Sequence, residues 1–375
     1  MLAKASAQKK LSPVDGSIVA ILILLLLAGL LTLFSATYYS AQGTGNPAGE
    51  VLRQLVGVAL GAFAMVVTSR IPYRFWRLPQ VVVTGLVLSA VLLVLVIVPG
   101  VGVYINGSRR WLSVAGVSFQ PSELAKMAVV LYMAASLSNR GRAIRSLIFG
   151  VVPTLLVPGV VFLLILEQPN LSTAGSILIV SFLMIVMAGA KWQHILLMLA
   201  GGIGVGGFYA WSAPYRRERL LSFTDPFAKM NDEGYQLAQS LIAFGSGKVF
   251  GMGLGLGRQK YAYLPYPESD FIYAIVGEDF GLCGCLCVIA LFVGFLLAGM
   301  RVAIACRDRF GALLAAGITC SISMQAFINM GVVVGILPTT GLPLPFFSSG
   351  GTSVSITMAA VGILLNISRT AGRIE

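Results

Sequence analysis

The sequence predicts an all-α polytopic membrane protein, and three observations lead to that class. Of the 375 residues, 57% are hydrophobic and only 11% are charged, whereas soluble domains carry about 25% charged residues. Mean hydropathy is +0.89. The apolar residues also form runs that reach the roughly 20 residues a helix needs to cross a bilayer. Lipid must therefore cover most of the surface of what we expect to be a single transmembrane domain, residues 1–375.

Ten apolar runs predict ten spanning helices. They cover about residues 17–39, 51–69, 78–98, 121–137, 146–166, 172–190, 192–211, 271–300, 310–336 and 347–367. No soluble domain separates them, and the one sizeable polar segment is 212–270. Loops of this length are usually functional or disordered. Within this one, residues 234–244 have amphipathic spacing, and a glycine-rich run follows.

Lysine and arginine positions predict the orientation, because these residues are enriched in cytoplasmic loops. With the N-terminus inside, the cytoplasmic side holds fifteen of the 26: Lys4, Lys9, Lys10, Arg70, Arg74, Arg77, Arg140, Arg142, Arg145, Lys191, Arg301, Arg307, Arg309, Arg369 and Arg373. The short outer loops hold Arg53, Arg109 and Arg110. Both termini are therefore predicted to be cytoplasmic and the long loop 212–270 extracellular. The net charge of +12 is then mostly a topology signal, and we expect no nucleic-acid partner.

Two patterns partly match ligand-binding motifs. The five cysteines are Cys283, Cys285, Cys287, Cys306 and Cys320. Alternate residues of a helix point in different directions and no histidine is near, so we expect apolar filling rather than a metal site or disulfides. The glycine-rich run 245–257 contains "GSGK" and "GMGLGLG", but it lacks the context of a phosphate loop. We expect a flexible turn region, with a backbone cradle for a substrate phosphate as the alternative.

Ionisable residues within membrane helices are costly and usually face a cavity or a partner. Glu123 and Lys126 are three residues apart and share one helix face. They form either an internal ion pair that locks the helix or the lining of a polar cleft open to the outside. On a straight helix, Glu278 and Asp279 cannot share a centre with Asp270, so we expect them to pair with other helices or with polar loops.

Asp270 lies at the predicted outer end of the eighth helix. Its carboxylate is either an N-cap that accepts backbone N–H bonds or a functional acid at the membrane mouth. The outer side also carries a set of cations, and arginine binds phosphates bidentately. This charge pattern suits an anionic lipid-linked substrate. The candidate diphosphate ligands are Arg109, Arg110, Lys126, Arg258 and Lys260.

Three further patterns concern packing. Gln325 and Asn329, on one face of the ninth helix, are explained by helix–helix hydrogen bonds. The spacings Gly57/Gly61 and Gly202/Gly206 indicate that some helices pack closely. Segment 337–353, "LPTTGLPLPFFSSGGTS", has too many prolines and glycines for a continuous helix. It is predicted to be an outer re-entrant or tightly packed loop that is buried in protein or lines a cavity.

The chain resembles the SEDS family (shape, elongation, division and sporulation), and within it the FtsW/SpoVE branch rather than the related RodA proteins. The resemblance covers all ten predicted helices. It rests on "GSRRWL" (107–112), "FQPSELAK" (119–126), "EQPNLST" (167–173), "RRERLLSFTDPF" (216–227), "GYQLAQSLIAFGSGKVFGMGLG" (234–255), "RQKYAYLPYPESDFIYAIVGEDFG" (258–281), "GILPTTGLPLPFFSSGGTS" (335–353) and the ending "GILLNISR" (362–369).

The resemblance implies a peptidoglycan glycosyltransferase that polymerises lipid II at the outer face of the cytoplasmic membrane for septal wall synthesis. It implies that Asp270 is the family's essential acid and that Glu123 and Lys126 belong to its central cavity. Three positions depart from the family pattern: Asn170 replaces an Asp, Ser172 replaces a Gly and Ser349 replaces a Tyr. These departures put catalytic roles for positions 170 and 349 in doubt.

The chemistry of lipid II fits these residues. An attacking sugar hydroxyl must lose a proton, for which Asp270 is a suitable base, and Glu123, Lys126, Arg109, Arg110, Arg258 and Lys260 are the predicted substrate-binding residues. No protein metal site is predicted, although a Mg²⁺ or Mn²⁺ ion could bridge diphosphate and carboxylate. Expected partners are a class B penicillin-binding protein, which is a transpeptidase, and other divisome membrane proteins. The alternatives are a lipid II flippase or a non-catalytic scaffold, but a flippase needs polar groups through the whole depth of the membrane, whereas these candidates cluster at the outer edge.

Overall fold

The computed structural model describes residues 14–42, 49–105, 108–114, 117–168, 170–212, 217–218, 222–228, 230, 234–261 and 263–371. The helices are α1 (Gly16–Gln42), α2 (Gly49–Arg70), α3 (Pro79–Ile97), α4 (Pro121–Arg140), α5 (Val152–Leu166), α6 (Leu171–Met187), α7 (Trp192–Trp211), α8 (Tyr235–Gly247), α9 (Ile272–Ala305), α10 (Arg309–Val333) and α11 (Gly351–Ala371). Short 3₁₀ turns cover Tyr73–Arg77 and Gly141–Arg145, and a π turn covers Leu147–Val151.

The all-α polytopic class is confirmed. Helices α1 to α7 and α9 to α11 coincide with the ten predicted runs, and α8 with the predicted amphipathic stretch. Seven helices of the described chain are long and apolar enough to cross a membrane: Gly16–Tyr39, Gly49–Arg70, Pro79–Ile97, Leu147–Leu166, Ile272–Ala305, Arg309–Val333 and Gly351–Thr370. Two more apolar helices are shorter, Leu171–Met187 and Trp192–Phe208, and α4 carries two charges in its first two turns. The count of ten spans stays a prediction.

A small antiparallel sheet lies between α3 and α4, where the sequence predicts only a short loop. Its strands are β1 (Gly102–Ile105), β2 (Ser108–Val114) and β3 (Val117–Phe119), in that spatial order. The strands have three to seven residues, too short for alternation to stand out in an apolar sequence. Successive side chains of a strand point to opposite faces, so the sheet turns the neighbours Arg109 and Arg110 in different directions.

Helix α9 is broken at Gly281, although the apolar run 271–300 predicts one straight helix. Gly281 has φ 65° and ψ −160°, a conformation that is essentially restricted to glycine. The nine residues before the break form a short helix, and the residues after it form a span long enough for the bilayer. Glu278 and Asp279 therefore lie at the end of a short helix rather than in the middle of a continuous one.

The glycine-rich run supplies the hydrogen bonds that the break leaves unmade. Leu282 and Cys283 donate their N–H groups to the carbonyls of Lys248 and Val249, at 3.0 and 3.1 Å. In return, the N–H groups of Met252 and Gly253 donate to Glu278 and Asp279 carbonyls, at 2.9 and 3.1 Å.

These hydrogen bonds argue against both interpretations of the glycine run. Gly251, with φ 82°, lies so close to the Asp279 carbonyl that a Cβ would not fit. The run is thus a closely packed connection rather than a flexible turn. The alternative, a phosphate cradle, is also wrong for Met252 and Gly253, because their N–H groups already donate to the helix.

Close packing through small residues is confirmed for one of the two spacings. Gly57 of α2 lies against the backbone of Gly351, and Gly61 lies against Ser355 and Met358 of α11. Ser355 Oγ also donates to the Gly57 carbonyl at 2.7 Å. By contrast, a Cβ at Gly202 or Gly206 would meet no described atom within 4 Å, so this spacing makes no helix contact in the described chain.

The loop between α10 and α11, residues 334–350, is buried as predicted over residues 344–348, whereas Ile336 and Leu337 near its start are exposed. Phe346 and Phe347 are 2% and 0% exposed. The Phe347 ring lies 6.4 Å from that of Phe292, centroid to centroid, about 15 Å beyond the Gly281 break at 1.5 Å per residue. The Phe346 carbonyl packs on Gly29, near the middle of α1. The loop is therefore re-entrant and reaches into the helical core.

The segments predicted to be cytoplasmic meet at one end of the bundle. Arg77 donates to Asn139 at 2.6 Å, and Arg309 donates to the Ala188 carbonyl at 3.0 Å. The Tyr73 N–H donates to Asn366 Oδ1 at 2.8 Å. This grouping agrees with the alternation that ten spans require, while the side that faces the cytoplasm stays a prediction.

All five cysteines are free, as expected.

We expect Gly281→Ala to destabilise the protein by at least about 2 kcal/mol, because alanine would be strained in this conformation and would collide with the backbone of Val249 and Gly251. The measurement is thermal unfolding in detergent. Gly294→Ala is the control, since its Cβ would meet only the Ile21 side chain at an ordinary 3.4 Å. Equal melting temperatures for the two variants would show that the break does not depend on glycine.

Candidate active-site cleft

A buried ion pair begins the candidate site at the start of α4. Pro121 occupies the first turn and Glu123 follows it, where the helix dipole favours an anion. Lys126 Nζ lies 2.9 Å from Glu123 Oε1, and the two side chains are 10% and 4% exposed. The predicted ion pair is confirmed.

This pair also connects α4 to three other elements. Glu123 Oε2 accepts a hydrogen bond from Ser353 Oγ of α11 at 2.9 Å. Lys126 Nζ donates to Gln325 Oε1 of α10 at 2.5 Å. Gln325 Nε2 in turn donates to the Pro343 carbonyl of the re-entrant loop at 2.9 Å. A chain of hydrogen bonds therefore runs from α11 through α4 and α10 to the loop, and all but the last, from Gln325 to Pro343, involve a charged group.

The same residues line a cleft between α4, α10 and α11. Glu123, Lys126 and Gln325 supply polar groups to a wall that is otherwise largely apolar. The two interpretations of Glu123 and Lys126, an internal ion pair and a cleft lining, are thus compatible. That the cleft opens to the outside stays a prediction.

Asp270 does not cap helix α9. The N-cap is Phe271, and no side chain accepts a cap hydrogen bond there. The carboxylate Oδ1 of Asp270 instead accepts from the Ser269 hydroxyl. The alternative of a helix cap is therefore wrong, and the half-buried carboxylate is left for another role.

Polar side chains hold Asp270 and the re-entrant loop together. Asn329 Nδ2 donates to the Asp270 carbonyl at 2.6 Å and to the Leu342 carbonyl at 2.7 Å. Ser348 Oγ donates to the Ser269 carbonyl at 2.6 Å. The expectation that Gln325 and Asn329 bond helix to helix is confirmed for Gln325, which accepts from Lys126 of α4. The amide N–H groups of both residues donate to carbonyls outside the helices. They fix irregular backbone where no ladder of hydrogen bonds can do so.

Arg110 faces Asp270 across Gly341. Its Nε donates to the Gln168 carbonyl at 3.2 Å, which ties β2 to the end of α5. A Cβ placed on Gly341 would lie 3.4 Å from Asp270 Oδ2 and 3.9 Å from Arg110 Nη1. The structure thus brings a carboxylate and a guanidinium, from distant parts of the sequence, close to the same glycine.

The other predicted cations lie apart from this gap. Arg109 and Arg258 are exposed. Lys260 is 3% exposed, and its Nζ lies 3.0 Å from Asp279 Oδ1 and 2.8 Å from Ser35 Oγ. The charge of Lys260 is already paired in a buried position, where removing one partner would be costly. This arrangement does not favour Lys260 as a diphosphate ligand, and that role stays a prediction.

Glu278 and Asp279 pair with a polar loop, as expected. Glu278 Oε1 accepts from the N–H groups of Arg258 and Gln259, at 2.6 and 3.1 Å. Asp279 pairs with Lys260 of the same loop. Together, the two acids fix the segment that leads to Asp270.

Glu268 belongs to the site but was not singled out from the sequence. Burial is the main cause that raises the pKa of its carboxyl above the usual range, a backbone hydrogen bond opposes this, and the charges of Glu50 and Asp270 add to it. The Glu268 carbonyl accepts from the Ser349 N–H at 2.8 Å. The available signal was its position two residues before Asp270, in "PESD".

The three departures from the family pattern have structural explanations. Asn170 caps α6, where its side chain accepts from the Thr173 N–H at 3.3 Å. Ser172 Oγ accepts from the Gly341 N–H at 3.2 Å. Ser349 Oγ donates to Glu50 Oε2 at 3.3 Å.

The fold and site define a multi-pass membrane protein with a polar cleft and a re-entrant loop at one end of the bundle. Residues 16–372 match the model of the FtsW/RodA/SpoVE family, described as cell cycle protein. The chain belongs to this family.

Similar proteins agree with this assignment. Stage V sporulation protein E of Bacillus subtilis (strain 168) is 41% identical over 364 residues, which cover 96% of this chain and 98% of that protein. A probable peptidoglycan glycosyltransferase FtsW of Geobacter sulfurreducens (strain DL-1 / KN400) is 42% identical over 316 residues, 84% of each chain.

Two solved structures have the same fold over nearly the whole chain. A chain from a structure described as the structural coordination of polymerization and crosslinking by a peptidoglycan synthase complex matches with a TM-score of 0.77 and 26% identity, covering 96% of this chain and 99% of that chain. The rod shape determining protein RodA of Thermus thermophilus matches with a TM-score of 0.70 and 25% identity, covering 96% and 98%.

The paired variant Glu123→Gln with Lys126→Met should fold better than at least one of the two single variants, because each single change leaves a buried charge without its partner. We expect the paired variant to be inactive in glycan polymerisation, since the cleft loses both charges. Melting temperature and polymerisation of labelled lipid II are the two measurements.

Arg53→Met is the control for this pair. It breaks an ion pair of the same i,i+3 spacing, Arg53 with Glu50 at 2.7 Å, but its Arg53 side chain is 80% exposed. Exposed pairs contribute little to stability, so the control should fold normally. Full activity in the paired variant would leave Glu123 and Lys126 with a structural role alone.

Proposed function

We propose that this protein is a peptidoglycan glycosyltransferase that polymerises lipid II into glycan strands for the septal wall of dividing cells. The observation that carries the proposal is the gap at Gly341, with the Asp270 carboxylate on one side and the Arg110 guanidinium on the other. Relatives named peptidoglycan glycosyltransferase FtsW, about 40% identical over most of the chain, support it.

Asp270 is the general base in this proposal. A sugar hydroxyl of the acceptor attacks the anomeric carbon of the donor, and its proton passes to the Asp270 carboxylate. Because Ser269 already donates to Oδ1, Oδ2 is the oxygen that faces the gap. A positioned base of this kind typically contributes 10² to 10⁴-fold in rate.

Arg110 stabilises the leaving group. The bond between the anomeric carbon and the diphosphate oxygen breaks, and its electron pair leaves with the lipid diphosphate. A fixed guanidinium beside the growing negative charge stabilises the transition state more than the ground state. The exposed Arg109 and Arg258 are secondary candidates at the rim, and Lys126 acts from within the cleft, where it orients substrate groups.

The site fits a divalent cation that is held by one carboxylate together with the phosphates of the substrate. In the described residues, no group of three or more His, Cys, Asp or Glu side chains comes together. Mg²⁺ often binds through one or two carboxylates plus substrate phosphates and water, and the Asp270 carboxylate beside a bound diphosphate would meet that requirement. Such an ion would supply further charge stabilisation to the leaving diphosphate.

The proposed location is the cytoplasmic membrane, with the site facing outside, where exported lipid II is available. The distribution of lysine and arginine supports this orientation, and the grouping of the predicted cytoplasmic segments at one end agrees with it. The proposed partner is a class B penicillin-binding protein, which would cross-link the new strands together with other divisome membrane proteins. Similarity to a chain of a peptidoglycan synthase complex supports a partner of this kind.

Asp270→Asn should reduce polymerisation of labelled lipid II by at least 100-fold, as expected for loss of a general base, with little change in melting temperature. Asp308→Asn is the matched control, because Asp308 caps α10 by accepting from the Gly311 N–H at 3.1 Å and asparagine caps equally well. The assay uses purified protein with and without the transpeptidase. Activity of Asp270→Asn within tenfold of the unchanged protein would remove Asp270 as the base.

Cysteine labelling tests the orientation in a background without the five native cysteines. A cysteine at Tyr263, which is 56% exposed, should react with a membrane-impermeant maleimide in intact cells. A cysteine at the exposed Arg307 should react only after lysis. The reverse pattern would invert the topology and place Asp270 on the wrong face for exported lipid II.

A further inference from the structure

Ser172 connects helix α6 to the re-entrant loop beside Asp270. It lies in the first turn of α6, and its hydroxyl accepts a hydrogen bond from the Gly341 N–H at 3.2 Å. The next two loop residues are held from α10, since Asn329 donates to the Leu342 carbonyl at 2.7 Å and Gln325 donates to the Pro343 carbonyl at 2.9 Å. The loop backbone at 341–343 is therefore held from both sides.

The segment that Ser172 holds is the one that separates the acid from the cation. Gly341 lies between Asp270 Oδ2 and Arg110 Nη1, and a Cβ there would make ordinary contacts with both. A shift of the Gly341 backbone by a methyl group's width would therefore change the space available between them. The bond from Ser172 opposes such a shift.

The two residues before Gly341 carry hydroxyls suited to a polar ligand. Thr339 Oγ1 and Thr340 Oγ1 are buried and have no hydrogen-bond partner among the described residues, and the same holds for Asn329 Oδ1, on the side chain that binds Leu342. Buried polar atoms usually have a partner, and leaving them without one costs about 1–3 kcal/mol. Hydroxyls of a sugar would supply such partners.

We propose that Ser172 is a positioning residue for the transferase reaction, and this inference rests on the function proposed above. By holding Gly341, it keeps the loop backbone in place beside the Asp270 carboxylate and the Arg110 guanidinium and presents Thr339 and Thr340 to the sugar.

Ser172→Ala tests the proposal by removing the acceptor while leaving the charged groups in place. We expect kcat/KM for lipid II to fall about fivefold, close to the value of one neutral hydrogen bond, with most of the change in KM because a loosened loop binds substrate less well. Ser172→Thr keeps the hydroxyl and should restore the rate.

Ser176→Ala is the matched control. Ser176 lies one turn further along α6, and its hydroxyl donates to the Thr173 carbonyl of the same helix at 2.7 Å. It makes the same kind of change without touching the loop, so kcat/KM should stay within twofold. If Ser172→Ala behaves like Ser176→Ala while the unchanged protein is active, the proposal for Ser172 is wrong.

Gly341→Ala provides a second test that does not depend on how well Ser172 variants fold. The methyl group fits at 3.4 and 3.9 Å from Asp270 and Arg110, so the melting temperature should not change, but the gap would narrow and kcat/KM should fall at least 20-fold. Gly175→Ala, whose Cβ would meet no described atom within 4 Å, is its control. Normal activity of Gly341→Ala would overturn the proposal, whereas an unchanged protein that fails to polymerise lipid II would overturn the function itself.

Discussion

The constraint on which this structure depends is that backbone N–H and C=O groups within a membrane protein need partners inside the protein. Helices meet it by themselves, but this chain leaves helical geometry at the Gly281 break and in the loop 334–350. At the break, a glycine-rich connection donates and accepts the missing bonds. In the loop, the side chains of Gln54, Gln325 and Asn329 take that role, with Gln54 donating to the Ser348 carbonyl and accepting from the Gly350 N–H.

Of the two irregular segments, the loop 334–350 bonds directly to the residues around Asp270, through Asn329 and Ser348. Two buried ion pairs, Lys126 with Glu123 and Lys260 with Asp279, hold neighbouring elements at 2.9 and 3.0 Å. Buried pairs contribute little net stability, but losing one partner is expensive. They therefore specify one arrangement of the elements around the site, even where they add little to the free energy of folding.

The site itself is assembled from elements that are far apart in the chain. The sheet carries Arg110, the residues before α9 carry Asp270, and the loop before α11 carries Gly341. A general base and a cation held on opposite sides of a narrow gap are the two groups that glycosyl transfer from a diphosphate needs. Because these elements are far apart in the chain, the positions of the acid and the cation depend on side-chain hydrogen bonds between elements. The bond between Ser172 and Gly341 is the most direct of these.

The sequence by itself determined the membrane class, the positions of the apolar helices, the buried loop 337–353 and the pairing of Glu123 with Lys126, because hydropathy and i,i+3 spacing are local properties. It also pointed to Asp270 through position and family pattern. Only the tertiary structure decided that Asp270 does not cap α9, that Lys260 is paired with Asp279, and that Arg110 and Gly341 lie near Asp270. These outcomes depend on contacts between different elements, 19 positions apart for Lys260 and Asp279 and much further apart for Arg110 and Gly341. Periodicity along one helix carries no information about such contacts.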